Sequence, residues 1–296
     1  MSGNEKELKE AASKIGVSLN QFEIIDAKDV ISTEEDPTKI IKEKNESSMA
    51  VGLRALNEKK IDAFITAGST GALTVGSFYY NEKIVGVKRA AICPIMPSYD
   101  GEFLLLDAGA NLNCRADVLV QFAIMGDIYS KKILKVKNPR IGLANVGIEE
   151  TKGPKTHKEA YNLLKSQETL NFVGNVEARY IPLGKCDVIV CDGFSGNMIL
   201  KTMEGTAKCI TKILKDCYSS NLKTKLAAIM LHKEHKKIKY KLNYKNYGGA
   251  ILLGMEKPII KAHGNSNEET IKNAILRAVL CVKNNITTEI AKNIVI

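Results

Sequence analysis

The stretch Asp187-Val-Ile-Val-Cys-Asp-Gly-Phe-Ser-Gly-Asn197 decides the fold. An apolar run between acids, without alternation, reads as a strand buried on both faces. It ends in Asp192-Gly-Phe-Ser-Gly-Asn197, and a helical pattern continues to about Tyr218. The same rhythm recurs outward from it. Ile61–Thr66 leads through Ala67-Gly-Ser-Thr-Gly71 into a helix ending near Asn81, and Phe103–Leu106 leads through Asp107-Ala-Gly-Ala-Asn111 to a helix over about Ala116–Ile133. Arg140–Asn145 leads through Val146-Gly147 and a polar loop to a helix over about Lys155–Lys165, and Lys257–Ala262 leads through His263-Gly-Asn-Ser266 to a last helix from about Asn267. Apolar strands alternating with helices predict a three-layer α/β/α domain around a mostly parallel sheet, with ligands at the carboxyl ends of the strands. The reading takes residues 1–296 as one domain. A helix at about Asn4–Lys14 precedes the first visible strand, Phe22–Ile25, so an opening strand and helix are expected to be missing.

Composition narrows the classes. Of 296 residues 45% are hydrophobic and 26% charged, which excludes a disordered chain or a collagen-like repeat. The longest apolar run, Leu226–Leu231, falls far short of the ~20 residues of a spanning helix, and the polar opening Met1–Glu10 lacks a signal core. Seven scattered cysteines without CxxC or His-rich spacing point to a reduced, cytosolic protein with no metal site.

The net charge of +10 is concentrated. Residues 218–245 carry eight Lys against one acid, Glu234, and the rest of the chain is close to neutral. Leu222, Leu226, Ile229 and Met230 share one helical face, which Leu231 widens. The segment reads as a projecting basic amphipathic helical element suited to anionic lipid or an acidic protein, or as a helix packed on the core with a solvated basic face. No DNA- or RNA-binding motif is present, so nucleic acid is set aside.

Five strand-end loops carry Gly beside polar residues at helix entrances, machinery for an anion such as phosphate. Gly68, Ser69, Thr70 and Gly71 form one such turn, with Ser69 or Thr70 alternatively an N-cap. Asp107 with Asn111, and Asp192 with Gly193, Ser195, Gly196 and Asn197, form two more, readable as a shared cleft or as capping turns. Lys152 stands beside Gly153 at a helix entrance, either on an anion or as a surface charge. Cys114 and Cys191 lie near strand ends but read as inert thiols rather than nucleophiles.

Together these residues resemble the phosphate acyltransferase (PlsX) family of bacterial phospholipid synthesis. The resemblance rests on ordered motifs over nearly the whole chain, among them Lys44-Asn-Glu-Ser-Ser-Met49, Ala67–Ala72, Leu106–Asn111, Gln121–Gly126 and Asn145-Val-Gly147. Lys152-Gly153, Asn171–Glu177, Cys191–Asn197, Leu200–Gly205, Tyr247-Gly-Gly-Ala250 and Ile260–Gly264 continue the series. It implies transfer of a long-chain acyl group from acyl carrier protein to inorganic phosphate, giving acyl phosphate. It also implies a homodimer, a fold like that of phosphotransacetylase and the isocitrate/isopropylmalate dehydrogenases, and peripheral association with the inner face of the membrane. The chain departs from the family in lacking the opening strand with its Asp-x-Met-Gly-Gly-Asp loop, in Ser69 for a usual Asn, and in Pro154 for another.

Thioester phosphorolysis needs a held phosphate oxygen and donors for the developing oxyanion, but no covalent acyl-enzyme, metal or cofactor. The expectation places Lys152 and backbone N–H groups after Gly68, Gly193 and Gly196 on phosphate. Asn145, Asn175 or Asn197 serves the carbonyl with help from His263, while Asp107 and Asp192 orient loops. A dehydrogenase of related fold and a non-catalytic binding remnant are the alternatives.

Overall fold

The computed structural model describes residues 1–242 and 248–294. The chain divides into two compact units, Met1–Ala90 with Gly248–Ile296, and Ala91–Tyr247. It runs through β1 (Ser2–Gly3), α1 (Glu5–Lys14), β2 (Ile25–Asp26), α2 (Lys39–Lys42), α3 (Ser48–Asn57), β3 (Phe64–Thr66) and α4 (Thr70–Tyr80) in the first unit. The second unit holds β4 (Ala91–Ser98), β5 (Gly101–Leu106), α5 (Ala116–Tyr129), a π-turn at Ser130–Leu134, β6 (Ile141–Asn145), α6 (Lys155–Lys165) and β7 (Phe172–Glu177). A 3₁₀ turn at Ala178–Leu183, β8 (Val188–Val190), α7 (Gly193–Ser219), α8 (Leu222–Met230) and α9 (His232–Leu242) complete it. The first unit closes with β9 (Ala250–Leu253), β10 (Ile259–Lys261), α10 (Glu268–Lys283) and α11 (Ile286–Asn293).

The second unit is a mixed α/β layer structure on a mostly parallel sheet in the order β4-β5-β8-β6-β7, with only β4–β5 antiparallel among these pairs. Leu104, Leu105 and Leu106 of β5, Val188 and Val190 of β8, and Ile141 and Leu143 of β6 are fully buried, as a sheet covered on both faces requires. Helix α5 presses on β8 so closely that a Cβ at Gly126 would lie 2.6 Å from Val188. The first turn of α7 reaches Cys191, whose sulfur a Cβ at Gly196 would meet at 2.9 Å. Helix α5 packs on β5 and β8, and α7 on β4 and β5.

In the first unit β10 lies parallel to β3, pairing Lys261 with Thr66, and antiparallel to β9. A small parallel pair, Ser2 with Ile25 and Gly3 with Asp26, puts a strand ahead of α1. The strand expected at Phe22–Ile25 is thus two residues, Ile25–Asp26. Asn4 caps α1 by accepting from the Glu7 N–H at 3.1 Å.

Two boundaries differ from the sequence reading. Residues Gly193–Asn197 are not a loop but the first turn of α7, because the Asp192 carboxylate accepts the Ser195 N–H at 2.7 Å and starts the helix there. The basic element divides into α8, which has no buried residue, and α9, with the Tyr218 and His235 rings 4.3 Å apart; residues 243–245 of that element, and Tyr247 of the quoted motif, lie outside the described residues. Among the described residues no helix is long and apolar enough to cross a membrane.

Candidate functional site

Strands β5 and β8 end side by side, with Leu106 opposite Val190. The chain then turns at Asp107, whose side chain is wholly buried. Its Oδ1 accepts N–H bonds from Ile92 at 2.8 Å and from Gly109 and Ala110 at 3.2 Å. Its Oδ2 accepts from the Asn111 backbone at 2.6 Å and the Asn111 amide at 3.0 Å. Burial raises the Asp107 pKa, and the hydrogen bonds from Ala110, Asn111 and Ile92 pull it down. The carboxylate is the hub of the 107–111 turn and faces no open space.

Asn111 carries the turn across to α7, its carbonyl accepting the Gly193 N–H at 2.7 Å. Asn111 was expected on phosphate; its amide instead turns inward onto Asp107. The Gly196 N–H bonds the Asp192 carbonyl at 2.9 Å, and a Cβ at Gly196 would collide with the Asp107 carbonyl. Only glycine permits that approach. The N–H groups of Gly193, Ser195 and Gly196 are therefore spent inside the protein. What the first turn leaves open among the described residues is the Phe194 N–H, the Ser195 hydroxyl and the exposed Asn197 amide, which lies about 3.0 Å from where a Gly109 side chain would begin.

A second cluster stands at the ends of β6 and β7, where Leu143 pairs with Asn175. The Asn145 amide donates to the Lys152 carbonyl at 3.2 Å and to Asn175 Oδ1 at 3.1 Å, while its own oxygen accepts the Val146 N–H at 2.8 Å. Asn175 donates to the Glu149 carbonyl at 2.8 Å. Gly153, at φ +87°, sits so close to Asn145 that a Cβ would overlap its amide. Both hydrogens of the Asn145 amide are used inside the protein, so neither is turned outward to the acyl carbonyl expected of it. Asn145 and Asn175 brace the loop that presents Lys152. The Lys152 side chain is exposed and has no ion-pair partner among the described residues. Pro154, at the N-cap of α6, gives that helix no side-chain cap.

His157, which sequence reasoning passed over, lies in the first turn of α6. Its Nδ1 is buried without a hydrogen-bond partner. Burial holds its pKa below the usual histidine range, and the Asp192 carboxylate of the α7 cap offsets part of that effect. The only signal in the sequence was a histidine one turn into a helix that follows a Lys-Gly loop. Cys191 is fully buried, and burial pushes its thiol far above the usual range, as expected of an inert cysteine. Cys114 donates to the Asn111 carbonyl at 3.7 Å.

In the first unit, Ser69 caps α4, accepting the Ala72 N–H at 3.3 Å, and is 5% exposed; Thr70 is exposed. Side chains at Gly68 and Gly71 would run into Met49 and Pro37. The β3–β10 pairing brings the His263 loop beside this turn, with Gly264 near the Ala67 carbonyl. His263 Nδ1 accepts the Asn265 N–H at 3.4 Å. Among the described residues no group of three or more His, Cys, Asp or Glu could hold a metal ion.

A family profile described as "Fatty acid synthesis protein" matches residues 1–289. A phosphate acyltransferase of Clostridium tetani is 45% identical over 295 residues, covering 100% of this chain and 88% of the relative. The chain belongs to this phosphate acyltransferase family. A second member, from Thermoanaerobacter pseudethanolicus, is 46% identical over 274 residues, 93% of this chain and 82% of its own. Membership makes the chain a transferase of fatty acid synthesis and decides against the dehydrogenase reading. A phosphotransacetylase from Streptococcus pyogenes superposes with TM-score 0.61 at 18% identity over 95% of this chain and 85% of its own, and one from Staphylococcus aureus with 0.59 at 15% over 96% and 85%. These two place the phosphate acyltransferase fold with that of the phosphotransacetylases.

Proposed function

We propose that the chain transfers a fatty acyl group from the thioester of acyl carrier protein to inorganic phosphate, giving an acyl phosphate for phosphatidic acid synthesis. A phosphate oxygen attacks the thioester carbon, the new C–O bond forms, the C–S bond breaks, and the thiolate leaves with the carrier and takes up a proton. Phosphate is already anionic at neutral pH, so the protein has to hold it, not deprotonate it.

The observation that carries this reading is the first turn of α7. It offers an uncommitted N–H, a hydroxyl and an amide at the positive end of a 27-residue helix, mounted on the buried Asp107–Asn111 brace. In this reading Lys152 supplies the counter-charge to phosphate. The Asn197 amide and the Phe194 N–H serve phosphate and the carbonyl oxygen, and Asn145 and Asn175 fix the Lys152 loop. In the first unit we propose the α4 N-terminus with Thr70, beside the His263 loop, as a phosphate-binding turn in its own right. Hydroxylamine trapping tests the reaction: acyl hydroxamate should form from palmitoyl carrier protein only when both phosphate and the chain are present. Carrier binding without turnover would contradict the reaction.

We further propose a cytoplasmic homodimer whose α8 docks on anionic membrane. Leu222, Leu226, Ile229 and Met230 are 61–83% exposed and Leu231 is 43% exposed, with Lys223 and Lys225 between them. Burying such side chains in a lipid interface contributes ~1.5–3 kcal/mol each. The double change Leu226→Glu and Ile229→Glu should lower flotation with phosphatidylglycerol vesicles by at least about tenfold. Unchanged flotation would remove this face from membrane docking, and a sedimenting species of one chain's mass would remove the dimer.

A further inference from the structure

In the second unit β6 pairs in parallel with β8, so the loop that follows β6 comes out beside the start of α7. That loop carries Lys152 and feeds α6, which begins at Lys155 without a side-chain cap and holds His157 in its first turn. Helix α6 is fixed by packing on α5, β6 and β7. The His157 ring is partly buried, and the reaction as described gives it no task. Its two nitrogens differ. Nδ1 is buried and has no hydrogen-bond partner. Nε2 is not buried, and it too has no partner among the described residues. A proton on Nδ1 would be a buried donor without an acceptor, so the single proton of the uncharged ring belongs on Nε2. Burial disfavours the charged ring, and the Asp192 carboxylate favours it. Among the described residues Asp192 is the one charged group that acts on the ring; α5, β6 and β7 add none. Asp192 itself is held at the start of α7, where it accepts the Ser195 N–H at 2.7 Å.

We infer that His157 is a further phosphate contact, its Nε2–H donating to a phosphate oxygen held between Lys152 and the first turn of α7; the inference rests on the phosphate acyltransferase reading above and adds a residue to its site. Placement carries it. The ring stands one turn beyond the Lys152 loop and within reach of the α7 cap, the two features that reading sets on the anion. Its uncommitted nitrogens are the second ground. Asn111, Asn145 and Asn175, the other polar side chains at this end of the sheet, spend their amides inside the protein. His157 spends neither nitrogen there, and it turns the one that carries the proton outward. The chemistry is complementary as well. The Lys152 ammonium supplies charge with little direction, whereas an imidazole N–H on a packed helix supplies direction. The uncharged ring adds a donor without a second charge that burial would oppose.

Two measurements test it, one without turnover. In the full-length ¹⁵N-labelled protein the His157 ring signals, identified by their loss in His157→Gln, are followed against pH with and without inorganic phosphate. An anion beside the ring favours its protonated form, so phosphate should raise the His157 pKa, and potassium chloride at equal ionic strength should not. In steady-state assays His157→Leu, which removes the donor and keeps an apolar body, should raise the KM for phosphate at least about tenfold. The KM for palmitoyl carrier protein should stay within about twofold, and His157→Gln, whose amide can place an N–H near the Nε2 position, should restore most of the phosphate affinity. A ring indifferent to phosphate would overturn the assignment, and so would an unchanged phosphate KM in His157→Leu. If His157→Leu does not fold by circular dichroism, the ring titration and His157→Gln decide. Equal losses toward phosphate and carrier in both variants would make the ring a packing residue and overturn the assignment too. A ring that responds to phosphate in a chain forming no acyl phosphate would uphold the contact and sink the proposed reaction instead.

Discussion

Replacing Asp107 by Ala is expected to cost more than about 4 kcal/mol of folding stability, placing it among the exceptional single substitutions. The side chain is fully buried and receives five hydrogen bonds, from Ile92, Gly109, Ala110 and twice from Asn111. Truncation leaves these donors in a dry interior, and each orphaned donor costs ~1–3 kcal/mol. Asp107→Asn keeps one acceptor oxygen but turns an NH₂ toward N–H groups, so it should lie between Ala and the natural residue. Urea unfolding at neutral pH checks both. A loss below about 1 kcal/mol for Asp107→Ala would mean that the 107–111 turn does not depend on its hub.

Lys152→Ala should leave folding intact and lower acyl phosphate formation by at least about tenfold, ~1.4 kcal/mol of transition-state stabilisation. The side chain is exposed and makes no ion pair among the described residues, so its removal takes no folding energy with it. Lys152→Arg keeps the charge but exchanges a compact ammonium for a planar fork, and should recover only part of the rate. Rates for Lys152→Ala within about twofold of the unaltered chain, measured as thiol released from palmitoyl carrier protein at saturating phosphate, would take Lys152 out of the mechanism.

Strands β5, β6 and β8 were legible because burial on both faces leaves an unbroken apolar run. Strand β4 was not, because Pro94 and Pro97 interrupt the apolar run of Ala91–Ser98. In β7, Gly174 at φ +94° had the same effect, and the four residues of β9 are too short for any period to register. At the site, residue types were visible and their direction was not. Asn145, Asn175 and Asn111 sit where ligands gather, yet their amides point back into the protein, at Lys152, Glu149 and Asp107. An Asn at a strand end looks the same in sequence whether it holds a substrate or a loop. His157 lay hidden for the converse reason: nothing near it in sequence announces the Asp192 carboxylate that reaches it through space.

The central claim is that this chain moves an acyl group onto phosphate. The most direct measurement follows radiolabelled inorganic phosphate into organic-phase acyl phosphate in a mixture of palmitoyl carrier protein and purified protein. Label transfer is expected to be matched one for one by free carrier thiol and reversed on adding carrier thiol to the labelled product. Thiol release without label in the organic phase, or no release at all, would contradict it.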